Sequence, residues 1–365
     1  LTLQEQISTL AQEAGFDQAG IAPVPPAGDA ADYPELDHFG PWVEQGRAGE
    51  MEYLKRRDDA GRLLRSSLRI ALPWVRSVIV CAANYNPDAP RSTDPAGAES
   101  GWIARYALTG NSTGHEGQAP SDYHDVLLAR LKQLDKKLQQ SLGPFASRCY
   151  VDTGPLVERV YARYAGIGWV GKNTCILNQQ LGSWLFLGVI LTGLDLPPEP
   201  WQIADDRCGS CTRCLDACPT GALVAPYEMD ASLCIAYLTI EKRGSIAEPL
   251  RAQMGRQVFG CDICQDVCPW NRRAPISSDK ELALRPELVN PALGWLAELT
   301  ADDFSRLFRK SPLQRTKLSG LLRNVAIAMG NSGLAAYIPK LQEWAGGTDA
   351  VLAEAAQWAL ARCRQ

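Results

Sequence analysis

Hydrophobic positions recur with a helical period at the start of the chain. Leu3, Ile7, Leu10 and Ala14 fall on one face. Thr2 and Glu5 have the spacing of a capping box, and Gly15 stands where such a helix stops, so residues 1–15 read as a helix. A short strand near Gly20 to Ala22 and a proline-rich loop from Pro23 to Pro26 follow. Residues 51–65 (M-E-Y-L-K-R-R-D-D-A-G-R-L-L-R) read as helical and basic, and Val75 to Ala82 is a β-branched run suited to a buried strand. Residues 86–100 and 109–121 are polar and rich in turn formers, hence loops. From Asp122 to Leu142 the period is helical again, with Leu127, Leu128, Leu131, Leu134 and Leu138 on one face and Gly143-Pro144 as the stop. Arg148 to Val151 reads as a strand ending at Asp152, Pro155 opens a helix to about Ala165, Gly166-Ile167-Gly168 is a turn, and 184–192 is another strand.

The alternation of helix and strand over the first 200 residues predicts an α/β or α+β sandwich. Pro197, Pro198 and Pro200 mark a linker into a cysteine-rich module at 201–275. Past Asn290 the chain turns helical, and two alanine-rich stretches, Gly320 to Gly330 and Ala350 to Cys363, resemble each other loosely, as paired helices of a HEAT-like repeat would. The expected division is therefore 1–200, 201–275 and 276–365.

A chain of 365 residues has room for these units, and its 46% hydrophobic and 21% charged content is that of an ordinary globular protein. The N-terminal L-T-L-Q-E-Q-I-S-T-L lacks the basic flank and apolar core of a signal peptide. Trp184 to Leu194, the most apolar run, is too short to span a bilayer. Net charge is −4, so a nucleic-acid surface has to be a local patch. Twelve cysteines, eight of them in ligand spacing, argue for a reducing compartment, and a cytoplasmic location is expected.

Those eight carry the strongest chemical signal. Cys208 to Pro219 reads C-G-S-C-T-R-C-L-D-A-C-P, the C-x2-C-x2-C-x3-C-P run of bacterial ferredoxins, in which the fourth cysteine serves the other cluster. Cys261 to Pro269 (C-D-I-C-Q-D-V-C-P) lacks a leading cysteine, which Cys234 is placed to supply. The count closes with Cys208, Cys211, Cys214 and Cys268 on one [4Fe-4S] cluster and Cys218, Cys234, Cys261 and Cys264 on a second. A pair of four-cysteine zinc sites is the alternative. Cys81, Cys149, Cys175 and Cys363 remain as core or incidental thiols.

Four other features stand out. Asp152, in V-D-T-G-P-L-V-E-R, sits at a strand end before a turn into a helix; it is either a helix cap, with Thr153 as a second candidate cap, or free for chemistry. The glycines of A-G-I-G-W-V-G-K-N-T (165–174) do not form a Walker loop, and close backbone approach to a flat cofactor suits them as well as a nucleotide does. Histidine is scarce (His38, His115, His124), and His124 reads as a helix-start residue and not as a metal ligand. Arg306, Arg309, Lys310, Arg315, Lys317 and Arg323 form a basic run with no acid among them, and Lys242-Arg243 is a second basic spot near the clusters; each is a solvated face or a phosphate-contacting patch.

V-D-T-G-P…E-R…A-G-I-G-W-V-G-K-N, C-G-S-C-T-R-C-L-D-A-C-P-T-G-A-L, C-I-A-Y-L-T-I-E and F-G-C-D-I-C-Q-D-V-C-P-W-N, in this order, resemble the epoxyqueuosine reductase family over most of the chain. The resemblance implies a cobalamin-dependent enzyme with two [4Fe-4S] clusters that reduces the epoxide of epoxyqueuosine at the tRNA wobble position to give queuosine. It implies Asp152 as proton donor, and Arg65, Asp152, Ile176, Leu187, Ala236, Cys261 and Asp262 lining the corrin. Glu241, Lys242 and Arg243, with the basic run Arg306 to Arg323, would face the tRNA. The implied fold is α+β: a nitroreductase-like cobalamin domain, a ferredoxin-like module and a small HEAT-like helical domain that helps grip tRNA. A monomer, base-off cobalamin without a protein imidazole, and an unidentified low-potential electron donor complete the expectation. An ordinary aspartate is ionised at neutral pH, so the acid role asks for partial desolvation of Asp152 against the corrin. The 107–121 loop is longer and the helical tail shorter than the family pattern. Competing readings are a reductive dehalogenase-like reductase of a small molecule, an electron carrier with accessory domains, and a zinc-stabilised tRNA-binding protein.

Overall fold

The structure, a computed structural model, describes residues 2–25, 32–110, 122–197 and 203–364. Pro26, His115, Pro198, Pro200 and most of the 109–121 loop, and with them the expected linker, lie outside the described residues.

Four antiparallel strands form the central sheet, in the spatial order β1 (Gln18–Pro23), β2 (Ser77–Asn84), β5 (Leu185–Thr192), β4 (Ser147–Tyr150). Every residue of β2 is buried, because the sheet is covered on both faces. Ile79, Cys81 and Ala83 point to one side, where Ile7 and Ala11 of α1 (Leu3–Glu13) meet Leu127, Leu131 and Leu138 of α2 (Tyr123–Leu142). Val78, Val80 and Ala82 point to the other, against Val160, Tyr161 and Ala162 of α3 (Glu158–Tyr164). α1 has the expected capping box of Thr2 and Glu5, and Asp122 caps α2 by accepting the N–H groups of His124 and Asp125. The chain is thus α+β, with the periodicity of its longer elements read correctly.

Two local expectations need correction. Residues 51–65 form no long helix: one short turn at Glu52–Leu54 is followed by a tight loop. Asp58 Oδ1 accepts the N–H of Ala60 at 3.1 Å and of Arg62 at 2.8 Å, and Gly61 takes φ +79°, so the aspartate side chain diverts the backbone out of helix. α3 starts at Glu158, not at Pro155, because Asp152 adopts φ +56° and the chain turns once more through Gly154. The Gly166–Gly171 stretch belongs to packing. A Cβ on Gly168 would lie 2.1 Å from the Leu177 carbonyl oxygen across the short pair Trp169–Val170 with Ile176–Leu177.

The cysteine-rich segment and the C-terminal helices share one core, in which Ile235, Leu238 and Phe259 join Val325, Met329 and Ala356. α4 (Lys317–Ser332) and α6 (Ala350–Cys363), the two alanine-rich stretches, pack closely, with α5 (Ile338–Ala345) beside them. A Cβ on Gly330 would meet the Ala359 Cα at 2.8 Å. β6 (Gln257–Phe259) pairs in parallel with β3 (Trp102–Ile103), which ties this half of the chain to the sheet half.

Candidate active site

One large cavity, of about 1800 Å³, opens between the two halves. That exceeds an ordinary small-molecule pocket of roughly 300–1,000 Å³. Aromatic side chains (Trp42, Tyr53, Tyr106, Tyr123) and charged ones (Arg65, Arg315, Asp152, Glu158, Glu241) share its wall. Such a lining suits a large flat amphipathic group together with an anionic substrate.

Asp152 is presented to this space and caps nothing. It follows β4, holds a left-handed φ, and lies well before the first turn of α3. The Tyr123 hydroxyl donates to Asp152 Oδ2, and His124 Nε2 lies 3.8 Å from the same oxygen. Tyr123 is held in place by stacking on Phe186, with ring centroids 4.1 Å apart, and on His124, at 3.9 Å. Burial, then the charge of Asp152, pushes the Tyr123 and Tyr106 phenols far up, so both stay hydrogen-bond donors at any working pH. Burial alone would lower the His124 imidazole, but Asp122 and Asp152 outweigh it and raise it. Reading His124 as a helix-start residue was right in position, at the second residue of α2, and incomplete in role. Protein atoms leave the Asp152 side chain 53% exposed, so its desolvation has to come from whatever fills the cavity.

Glu158 is a second acid in this wall that sequence reasoning passed over. Its Oε1 is buried without a hydrogen-bond partner. Burial, then Asp152, raises its carboxyl to about 7. The folded value lies above the unfolded one, so the stabilisation is complete below pH 4.5 and is lost as pH rises through about 7. Glu158→Gln is expected to remove that loss, which is worth up to ~3 kcal/mol. Urea titrations of both proteins at pH 5 and pH 8 measure it; equal pH dependence in the two would contradict the assignment.

Of the residues expected around a corrin, Arg65, Asp152 and Ala236 line the cavity. Arg65 donates to the Leu156 carbonyl at 2.7 Å and lies 5.8 Å from the Tyr53 ring centroid. Ile176, Leu187, Cys261 and Asp262 do not line it. Ile176 and Leu187 pack with the hydrophobic layer behind α3, Cys261 packs against the core shared with the C-terminal helices, and Asp262 is buried, accepting the Arg105 backbone N–H at 2.6 Å. His38 and His124 are both in the wall, and His124 is tied between Asp122 and Asp152.

The cysteines fall into two groups. Cys208, Cys211, Cys214 and Cys268 line one cavity of about 280 Å³, so the distant Cys268 does join the first run. That is far more room than one zinc ion needs, with Zn–S bonds of about 2.3 Å. Among the described residues no three His, Cys, Asp or Glu side chains close around a single ion. Cys218, Cys234, Cys261 and Cys264 neighbour one another electrostatically, and Cys234 also reaches the large cavity. None of the eight is in a disulfide. Burial pushes Cys234 and Cys261 up and Cys268 up to about 11, and a bound metal centre would hold these sulfurs as thiolates. The donor set fits two iron–sulfur clusters. Cys175, read as a core or incidental thiol, neighbours Cys264; nothing in its local sequence announces this.

The basic residues separate. Arg315 is at the cavity mouth, in a two-point ion pair with Glu241 (both contacts 2.9 Å) and 5.5 Å from the Tyr53 ring centroid. Arg306, Arg309, Lys310 and Lys317 are exposed; Lys310 pairs with Asp125 at 3.0 Å. Lys242 pairs with Glu50, and Arg243 donates to the Thr316 carbonyl at 3.3 Å. Arg323 does not belong to this surface: it is 1% exposed, and its guanidinium donates to the carbonyls of Leu238, Lys242 and Gly244. The absence of acids in the run hid a residue that α4 turns inward.

Two family models match the chain. "Epoxyqueuosine reductase QueG, DUF1730" covers residues 65–153 and "4Fe-4S double cluster binding domain" covers 207–271. An epoxyqueuosine reductase of Pseudomonas aeruginosa is 36% identical over 99% of this chain and 94% of its own. That of Escherichia coli is 35% identical over 99% and 89%. A crystal structure of an epoxyqueuosine reductase with an epoxyqueuosine-modified tRNA-Tyr stem loop has TM-score 0.83 and 28% identity, covering 100% of this chain and 90% of that one.

Proposed function

The chain belongs to the epoxyqueuosine reductase family, and on that premise we propose that it reduces the epoxide of epoxyqueuosine in tRNA to give queuosine. The observation that carries the reading is the large cavity: Asp152 faces it from the sheet half while Cys234 and Ala236 face it from the cysteine-rich half. A proton source and an electron source therefore share one space.

Two electrons and two protons convert the epoxide to an alkene and water as both C–O bonds break. Cobalamin, when bound, supplies a strongly reducing cobalt, and two [4Fe-4S] clusters supply electrons one at a time. The chain's own residues do the rest. Asp152 gives a proton to the departing oxygen, which is a poor leaving group as an alkoxide. Tyr123 orients that carboxyl, and cofactor and substrate exclude water from it once they fill the cavity. Arg65, Asp152 and Ala236 hold the corrin. His124, engaged by Asp122 and Asp152, would not serve to hold the cofactor's metal. The eight cysteines divide between the clusters as grouped above. Arg315 and Glu241 stand at the mouth with Tyr53, and Arg243, Arg306, Arg309, Lys310 and Lys317 offer cations to tRNA phosphates.

The finer architecture is part of the same proposal. Residues 1–200 form a nitroreductase-like cobalamin domain, 201–275 a ferredoxin-like module and 276–365 a HEAT-like helical unit; the last two share a core and should unfold together. We take the working form to be a cytoplasmic monomer. No described helix is long and apolar enough to cross a membrane.

The test is anaerobic incubation of cluster-loaded protein and a low-potential reductant with tRNA carrying epoxyqueuosine, with and without cobalamin. Mass spectrometry of the released nucleosides should show loss of one oxygen only when cobalamin is present. No conversion by protein holding both clusters and cobalamin would overturn the substrate and favour a small-molecule reductase.

A further inference from the structure

We propose that the mouth of the first cysteine group is the docking surface for a small acidic one-electron carrier protein. The inference rests on the reading of the eight cysteines as two cluster sites. Cys234 of the second group reaches the large cavity, whereas none of Cys208, Cys211, Cys214 and Cys268 does. Electrons bound for the cavity therefore arrive at the first group and leave through the second.

The first group opens to solvent through a cationic rim. Lys172, Arg207 and Arg213 line its cavity, and no acid does. Arg207 and Arg213 are exposed, and among the described residues neither has a carboxylate partner. Lys172 is anchored on the cysteine loop itself, donating to the carbonyls of Gly209 at 2.6 Å and Cys211 at 3.0 Å. Arg272 and Arg273, exposed as well, directly follow the Pro269–Asn271 turn behind Cys268. Three acids flank the rim, the exposed Asp205, Asp206, which accepts from Tyr227 and the Cys208 N–H, and Asp216, which accepts from the Thr212 hydroxyl, and the five cations outnumber them. Apolar area accompanies the cations. Ile203 (52% exposed), Val224 (45%) and Tyr227 (45%) are three of the six large hydrophobic side chains most exposed among the described residues.

A carrier with carboxylates around its own low-potential centre matches this rim. The chain as a whole carries −4, so such a carrier is repelled elsewhere and drawn to this patch, which orients the encounter. Each encounter oxidises the carrier by one electron and reduces the first cluster by one; two encounters supply the electron pair of one turnover. A small, charge-steered, quickly dissolving interface is the usual form of electron-transfer contacts.

The experiment uses cluster-loaded full-length protein, its Arg207→Glu/Arg213→Glu variant and the Arg207→Lys/Arg213→Lys control. Stopped-flow bleaching of the iron–sulfur absorbance is followed after mixing with a reduced acidic [2Fe–2S] ferredoxin. The expected result is a second-order rate about 10–100-fold lower for the glutamate variant at low salt, converging with wild type near 1 M salt, and a lysine control near wild type. Reduction by photoreduced deazaflavin, the cluster midpoint potential and tRNA affinity should not change. An unchanged ferredoxin rate overturns the proposal. So does a slower rate at every salt with a shifted potential, which would make the arginines counter-charges of the cluster. Weakened tRNA binding with normal ferredoxin kinetics would make the patch a nucleic-acid surface instead. If the glutamate variant loads clusters poorly, Arg207→Gln/Arg213→Gln takes its place. Failure of wild type to convert epoxyqueuosine with deazaflavin would count against the proposed function alone, since the ferredoxin rate is read without tRNA.

Discussion

Asp152→Asn is expected to retain both clusters and cobalamin while turnover of epoxyqueuosine falls by about 10²–10⁴-fold, the usual worth of a positioned acid. Asparagine is the right replacement on backbone grounds. Position 152 sits at φ +56°, a region that asparagine and aspartate tolerate and that alanine enters only with strain. The amide oxygen can still accept from Tyr123, so the stack of Tyr123 on Phe186 should persist. What disappears is a transferable proton. Single-turnover conversion by nucleoside mass spectrometry, with the visible spectra of cobalamin and clusters as loading controls, measures the effect. Turnover near wild type would remove Asp152 from the chemistry.

Arg323→Ala is expected to cost about 3–5 kcal/mol of stability, as a protein-folding effect and not as a loss of a tRNA contact. The guanidinium donates to Leu238 O at 2.7 Å and to Lys242 O and Gly244 O at 2.8 Å, closing the carbonyl end of the Ile235–Ile240 helix. Truncation leaves these acceptors inside the fold without donors. Burial, then the neighbouring Arg243, brings the Arg323 guanidinium down to about 10, so it is still charged at neutral pH, and removing it removes charge-assisted bonds. Denaturant titration of Arg323→Ala beside Arg306→Ala separates the two kinds of arginine; the latter, exposed on the Ala301–Leu307 helix, should stay within about 0.5 kcal/mol of wild type. Unchanged stability with weakened tRNA binding in Arg323→Ala would return that residue to the surface patch.

What could be read from the chain, and what could not, divides along physical lines. α1, α2 and β2 were legible because each buries a regular face, and the cluster cysteines were legible because ligand spacing is itself local. The loop at 51–65 was not, since one aspartate side chain competing for backbone N–H groups overrode a helical composition. Tyr123 and Asp152 meet only because α2 and the end of β4 are brought together in space; neither residue signals the other in sequence. Arg323 looked like part of a solvated stripe because charge pattern says nothing of what packs around α4. Ile176 and Leu187, expected beside a cofactor from the resemblance, pack in an apolar layer of the sheet half, a placement that their local sequence does not reveal.

Cys268 standing beside Cys208, Cys211 and Cys214 also bears on how the protein is made. On the ribosome the first three sulfurs emerge long before the fourth. Between them comes β6, which finds its partner strand β3 in a part of the chain already synthesised. The first metal centre thus cannot be completed in a nascent chain until the intervening segment has left the exit tunnel and docked. Iron–sulfur delivery to the first site is therefore expected to be a late step, and a truncation between Cys264 and Cys268 should lose that centre while keeping all four cysteines of the second group.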